Sequence, residues 1–120
     1  MSHLPDGTSE LIARALAEDI GTGDVTANAT VPEELTAQAH IVLKRPGVIF
    51  GLDVVDEVFR QVGVTEIDHT VVEGHWHDSV PRDVALINGP ARAILAGERV
   101  ALNFLGHLSG IATLTARYVD

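Results

Sequence analysis

Three polar residues at a regular spacing are the feature of this sequence best suited to chemistry. Arg99, Asn103 and His107 follow one another at intervals of four residues. On an α-helix this spacing places their side chains in one narrow stripe. The remaining residues of 97–119 are mostly apolar all round the axis, which predicts a helix that is buried on several sides. We therefore expect the polar stripe to face a polar group or a ligand.

Arg99 is the strongest candidate for a ligand-binding side chain. If the helix begins near Gly97, Arg99 lies in the first turn, where the helix dipole is positive and opposes an arginine. A bound carboxylate would remove that conflict, because the guanidinium can hold it bidentately and the N–H groups of the first turn add donors. A structural explanation stays open, in which Arg99 pairs with Glu98 or another surface carboxylate. His107 could likewise be a hydrogen-bonded histidine of a core or an interface, and Asn103 a residue that hydrogen-bonds the helix to a loop.

The composition restricts the classes of partner. The chain has 17 acidic and 8 basic residues, a net charge of −9, so it repels nucleic acids and anionic membranes, and neither is expected to bind. The absence of cysteine excludes disulfides, thiolate nucleophiles and cysteine-bound zinc. No apolar run approaches the roughly 18 residues of a membrane-spanning helix, and the first ten residues lack the features of a signal peptide. We therefore expect a cytoplasmic location.

The chain has the length of one domain, and its elements follow from apolar periodicity and turn residues. Helices are predicted from a cap at Thr8 or Ser9 to a stop at Gly21, at 52–62, and at 97–119 with a break near Ser109–Gly110. Strands are predicted at 37–43, 48–50, 64–72, 83–87 and 91–96, with a loop at 21–32 and a turn or bulge at 88–90. This order predicts an α+β fold of antiparallel strands and packed helices.

One pair of histidines invites a metal-binding interpretation. His75 and His77 are two residues apart, so their imidazoles would share one side of an extended segment and could bind zinc or nickel adventitiously. No third ligand is evident in the sequence. A polar turn in which Trp76 packs against the sheet explains the segment better, and no metal site is predicted.

Four stretches of the sequence resemble, in order, motifs of the quinolinate phosphoribosyltransferase family, also called nicotinate-nucleotide pyrophosphorylases (carboxylating). The stretch with the longest match contains Arg99 and resembles one helix of that family. The four stretches are EDIGTGDVT at 18–26, GVIFGL at 47–52, NGPARAIL at 88–95, and ERVALNFL followed by LSGIAT at 98–105 and 108–113.

The resemblance implies a function. Members of the family convert quinolinate and phosphoribosyl pyrophosphate (PRPP) into nicotinate mononucleotide, pyrophosphate and carbon dioxide, use Mg²⁺, and supply NAD biosynthesis. They are homodimers with shared active sites, and the arginine that matches Arg99 reaches the quinolinate carboxylates in the neighbouring subunit. Asn103 and His107 are weaker candidates for substrate contacts.

The resemblance also implies a domain organisation. The family joins an α/β hammerhead-like N-terminal domain to a seven-stranded α/β barrel, and such a barrel needs on the order of 200 residues. We expect residues 1–110 to form the substrate and dimerisation domain, and 111–120 to begin the helix that leads into a barrel absent from this sequence. The chain alone is therefore expected to lack catalytic residues, bound Mg²⁺, which would enter with PRPP, and transferase activity.

Two alternative functions come from other classes. Residues 73–96 resemble the hairpins of lipoyl and biotinyl carrier domains, but Lys44, the only lysine, lacks the neighbours expected of a modified lysine. The chain could also be a non-catalytic assembly module whose apolar helix docks a partner through Leu102, Leu105 and Leu108.

Overall fold

The computed structural model describes residues 4–23 and 31–119. Its described part contains three α-helices and five β-strands, and it has the α+β composition that the sequence predicts. In chain order these are α1 (Thr8–Gly23), β1 (Thr36–Leu43), β2 (Gly47–Val48), α2 (Leu52–Gln61), β3 (Glu66–His69), β4 (Trp76–His77), β5 (Arg82–Pro90) and α3 (Ala91–Val119).

The main sheet has β5 in the centre, with β1 and β3 antiparallel on either side of it. In this register Ile87 of β5 pairs with Ala39 of β1 on one side and with Ile67 of β3 on the other. A second, two-stranded sheet pairs β2 with β4. Residues 73–96 therefore do not form a hairpin, since β4 and β5 belong to different sheets, and the structural basis of the carrier alternative is wrong.

Helix α2 packs its apolar face into the hydrophobic core and lies against α1 and α3. Val55, Val58 and Phe59 are almost completely buried, as the periodicity of 52–62 predicts. The helix begins after Gly51, whose φ of 109° favours glycine, and the Glu73 carboxylate accepts hydrogen bonds from its first N–H groups. The prediction of this helix is confirmed within one residue of its end.

Residues 91–119 form one continuous helix, which corrects three predictions. The segment 91–96 is helical rather than a strand, and the helix does not break at Ser109–Gly110. Arg99 consequently lies more than two turns after the first residue, Ala91, and not at the positive end of a helix dipole. The argument that N–H groups of a first turn assist Arg99 is therefore wrong.

The burial of α3 is one-sided. Val100, Ala101 and Leu105 are buried in the core, whereas Leu102, Ile111 and Leu114 are among the exposed apolar residues. The prediction of a helix buried on several sides is wrong for this chain. Leu105 also cannot belong to the docking surface predicted for an assembly module, because it is buried in the domain's own core.

The turn or bulge predicted at Asn88–Pro90 is also wrong. These residues complete β5 and pair with Gln38, Ala37 and Thr36 of β1. Pro90 is tolerated because the pairing of β3 with β5 ends at Asn88, so only one neighbouring strand remains at the proline. The irregularity of the sheet lies instead in β1, between Ile41 and Val42.

The other boundaries differ by a few residues. The strand prediction at 37–43 is confirmed, while those at 48–50 and 64–72 are shortened to β2 and β3. Helix α1 continues past the predicted stop at Gly21, and most of the loop predicted at 21–32 lies outside the described residues. Within the described ranges, no helix has an apolar stretch long enough to cross a membrane.

Candidate functional site

Helices α1 and α3 leave an open cleft of about 550 Å³ between them. The polar residues that line this α1–α3 cleft are Glu18 and Asp19 on one wall and Asn103 and His107 on the other. Arg99 joins the site because its side chain is bound to Asp19. The structure thus brings together the three residues of the polar stripe predicted from their spacing.

Arg99 forms an ion pair with Asp19, the alternative that the sequence left open. Its Nη1 donates to Asp19 Oδ1 at 3.0 Å. The partner is not the neighbouring Glu98 but a residue of another helix, 80 positions earlier in the chain. The Arg99 side chain remains 63% exposed, whereas that of Asp19 is only 11% exposed. A guanidinium has five N–H donors, so a contact at Nη1 is compatible with binding a second carboxylate.

Asn103 and His107 are exposed on the α3 wall of the cleft. His107 is therefore not a core residue of this chain, and that alternative is wrong, whereas its interface alternative and the helix-to-loop alternative for Asn103 stay predictions. Their exposure is compatible with contacts to a ligand or to another chain, and a substrate-binding role for them stays a prediction.

The electrostatics of the cleft favour an outward-facing role for Arg99. Glu18 and Asp19 make the α1 wall acidic, which disfavours an anionic ligand inside the cleft itself. Arg99 is a cation with an exposed side chain beside that wall, so an anion can approach it from outside. The arrangement can orient a carboxylate through charge-assisted hydrogen bonds.

Two of the motifs meet away from this cleft. Ser109 accepts a hydrogen bond from the N–H of Phe50 at 3.0 Å and donates to its carbonyl at 3.1 Å. Thr113 accepts from the N–H of Val48 at 2.9 Å. Four residues of a helix rise about 6 Å, which is close to the length of two extended residues. The hydroxyls of Ser109 and Thr113 therefore reach the backbone of every second residue in the extended segment. Helix α3 therefore provides hydrogen-bond partners for the backbone of Val48 and Phe50, as a neighbouring strand would.

The glycines at either end of the 47–51 segment permit this close approach. A Cβ on Gly47 would lie 2.8 Å from Thr113 Oγ1, and a Cβ on Gly51 would lie 2.8 Å from Leu108 Cδ1. The stretches 47–52 and 108–113 are therefore one packing unit. The sequence alone did not reveal this role, because the hydroxyls and the peptides that they contact are about 60 residues apart.

The stretch 88–95 also has a structural role. The Nε of Arg92 donates to the carbonyl of Val31 at 2.7 Å, and the N–H of Ala91 donates to the carbonyl of Leu35 at 2.8 Å. These contacts fix the start of α3 against the segment that precedes β1. These contacts give the residues of 88–95 a role in the folding of the domain rather than in substrate binding.

One member of the histidine pair has a backbone partner in the structure. His77 Nε2 lies 3.0 Å from the carbonyl oxygen of Val72. Trp76 is not packed against the sheet as predicted: it is exposed, donates from Nε1 to Asp78, and has the Arg117 guanidinium 5.9 Å from its ring centre. Across residues 4–23 and 31–119, no group of three or more histidine or acidic side chains is placed to hold a metal ion.

Comparison with known proteins gives consistent matches. The model of the family described as "Quinolinate phosphoribosyl transferase, N-terminal domain" matches residues 24–109. A quinolinate phosphoribosyltransferase (decarboxylating) of Nicotiana tabacum is 35% identical over 114 residues, which cover 92% of this chain and 32% of the relative. A probable nicotinate-nucleotide pyrophosphorylase (carboxylating) of Methanocaldococcus jannaschii is 34% identical, over 97% of this chain and 40% of the relative.

Solved structures agree in fold. The crystal structure of NadC from Streptococcus pyogenes superposes with a TM-score of 0.88 at 35% identity, covering 99% of this chain and 42% of that one. The nicotinate-nucleotide pyrophosphorylase of Francisella tularensis gives a TM-score of 0.86 at 30% identity, with 98% and 42% coverage. The chain thus spans less than half the length of the proteins that it matches.

Proposed function

The chain belongs to the quinolinate phosphoribosyltransferase family, matching its N-terminal domain, and we propose that it orients substrate in a decarboxylating pentosyltransferase. In this proposal the complete enzyme converts quinolinate and PRPP into nicotinate mononucleotide, pyrophosphate and carbon dioxide, for NAD biosynthesis. Names of relatives that specify quinolinate phosphoribosyltransferase activity support the reaction.

The observation that carries the proposal is the exposed Arg99 guanidinium at the edge of the α1–α3 cleft. Quinolinate is a dicarboxylate, and a planar guanidinium recognises a carboxylate through two parallel hydrogen bonds. Arg99 stays protonated at physiological pH, so it would orient and stabilise the substrate and would not transfer a proton. Because its side chain points outward, the carboxylate it binds would lie in the neighbouring subunit of a homodimer.

Asn103 and His107 extend the same proposal. They line the cleft beside Arg99 on α3 and present hydrogen-bonding groups on the same helix face. Either side chain could contact the substrate or the neighbouring subunit near the bound carboxylate. We rank both below Arg99, because neither carries a fixed positive charge.

Mg²⁺ is assigned to PRPP and not to this chain. Within the described residues no group of three or more histidine or acidic side chains is placed to hold a metal ion, and Mg²⁺ in proteins is commonly bound by one or two carboxylates together with substrate phosphates. In the complete enzyme the ion would arrive with the pyrophosphate group of PRPP, and residues outside these 120 would hold it. This chain's own contribution is then the positioning of quinolinate.

The chain alone should not catalyse the reaction. We propose residues 1–110 as the substrate and dimerisation domain and 111–120 as the start of the connection to the barrel, although α3 itself continues through both parts. Pyrophosphate release from PRPP and quinolinate by the 120-residue chain would contradict this division. The cytoplasmic location also stays a proposal, since relatives include mitochondrial and chloroplastic proteins.

The test is substitution of Arg99 in a complete enzyme that carries this chain as its N-terminal domain. We expect Arg99→Ala to raise the KM for quinolinate by roughly 10- to 100-fold, the worth of hydrogen bonds to a charged group. The KM for PRPP should stay within about twofold. Arg14→Ala removes the same charge from an exposed position of α1 that does not line the cleft, and it is the matched control. Equal changes in both KM values would contradict the proposed role.

A further inference from the structure

We infer that Asp19 is a positioning residue for Arg99, fixing the guanidinium in the orientation that receives the quinolinate carboxylate. The inference rests on the proposed function of Arg99 and adds a residue to it. Asp19 belongs to the stretch 18–26, to which the sequence assigned no role in the reaction.

Asp19 is held in place more firmly than Arg99, so we take Asp19 as the residue that restrains Arg99. Asp19 is only 11% exposed and sits on α1, which is anchored in the core by the buried Ile12 and Leu16. Arg99 is 63% exposed and has four side-chain torsions to order. An unrestrained arginine loses much of its side-chain conformational entropy when it is immobilised. A fixed carboxylate that restrains it before substrate arrives reduces that cost on binding.

The contact with Asp19 leaves one edge of the Arg99 guanidinium available for a second carboxylate. Asp19 accepts from Nη1, whereas a side-on bidentate contact uses Nε and Nη2. The same protein shows such a side-on contact elsewhere, where Arg60 donates from Nε and Nη2 to the two oxygens of Glu57 at 2.8 and 2.6 Å. Asp19 can therefore restrain Arg99 while a second carboxylate is bound along the other edge.

The test is a double-mutant cycle in the complete enzyme, with KM for quinolinate and for PRPP measured for each variant. The variants are Asp19→Ala, Arg99→Ala, the two combined, and Asp19→Asn. Asp56→Asn is the matched control, because Asp56 contacts His69 at 2.8 Å in an exposed pair away from the cleft. Thermal unfolding of every variant checks that the domain is folded.

We expect Asp19→Ala to raise the KM for quinolinate by roughly three- to tenfold, the usual size of coupling between contacting residues. The KM for PRPP should not change. Asp19→Asn keeps an oxygen acceptor and should cause a smaller increase; it also carries the test if Asp19→Ala does not fold. In the Arg99→Ala background, Asp19→Ala should have no further effect on the KM for quinolinate.

The possible failures are distinguishable. If Arg99→Ala leaves the KM for quinolinate unchanged, the proposed function itself is wrong. If Arg99→Ala raises it but Asp19→Ala does not, the function stands and the positioning role is overturned. The positioning role is also overturned if the effects of the two substitutions multiply in the double variant, since they would then act independently.

Discussion

Thr113 accepts a hydrogen bond from the backbone N–H of Val48 at 2.9 Å, across 65 residues of sequence. With the Ser109–Phe50 contacts one turn earlier, this bond holds the second half of α3 against the short sheet that contains β2. The same helix carries Arg99 in its first half. Contacts far from the cleft therefore help to set the direction of the helix that presents the candidate substrate-binding side chain.

Thr113→Val should lower the stability of the domain. Valine has nearly the shape of threonine but leaves the part-buried N–H of Val48 without its acceptor, a loss of about 1–3 kcal/mol in the free energy of unfolding. Urea denaturation measures the change. Thr115→Val is the matched control, because the Thr115 hydroxyl is exposed and bonds only within α3, to the carbonyl of Ile111. Similar losses for both variants would show that the contact with Val48 contributes little.

Gly51→Ala should also destabilise the domain, for two separable reasons. Gly51 has a φ of 109°, which L-residues rarely adopt, and a new Cβ would lie 2.8 Å from Leu108 Cδ1. Backbone strain of this kind costs about 1–3 kcal/mol. Gly63→Ala is the control for strain alone, because Gly63 has a φ of 98° and nothing within 4 Å of the new Cβ.

Comparison of these two glycine variants isolates the packing contribution. We expect the melting temperature to fall further for Gly51→Ala than for Gly63→Ala, because only the new Cβ at position 51 would clash with a side chain of α3. The flexible end of Leu108 can move, so the excess should be modest, about 1 kcal/mol. An equal fall in both would assign the role of Gly51 entirely to its backbone conformation.

Periodicity predicted the elements whose burial is one-sided and whose ends carry clear signals. Helix α2 repeats Val55, Val58 and Phe59 on one face and is followed by Gly63, so its position could be predicted almost to the residue. The segment 91–96 was assigned wrongly, because a short apolar run is compatible with either a strand or a helix. The true helix start follows Pro90, where β5 ends.

The candidate site could be predicted only in part. The four-residue spacing predicts that Arg99, Asn103 and His107 share one helix, and all three lie in α3, where Asn103 and His107 line the α1–α3 cleft. The partner Asp19 could not be predicted, since its contact depends on how α1 packs against α3 and not on any local pattern. The error in the start of α3 carried over into the explanation of Arg99, which rests on side-chain exposure and not on a helix dipole.

We expect Glu57 to stabilise the folded domain by an amount that decreases in acid. Its buried carboxylate accepts two hydrogen bonds from Arg60 and one from Gln61, and these hold its pKa at about 2, below the ordinary 4.5. Between these two values the unfolded state binds a proton that the folded state does not. The contribution is therefore fully present above about pH 4.5 and is lost as the pH falls toward 2.

The measurement is the difference in unfolding free energy between the natural sequence and Glu57→Gln across this pH range. We expect the difference to shrink by about 1–2 kcal/mol from pH 5 to pH 2, less than the full pKa shift would give, because water screens the exposed Arg60. Glu10→Gln, at an exposed carboxylate of α1, is the control substitution. A difference for Glu57→Gln that stays constant with pH would mean that the Arg60 and Gln61 contacts do not favour the charged form of Glu57.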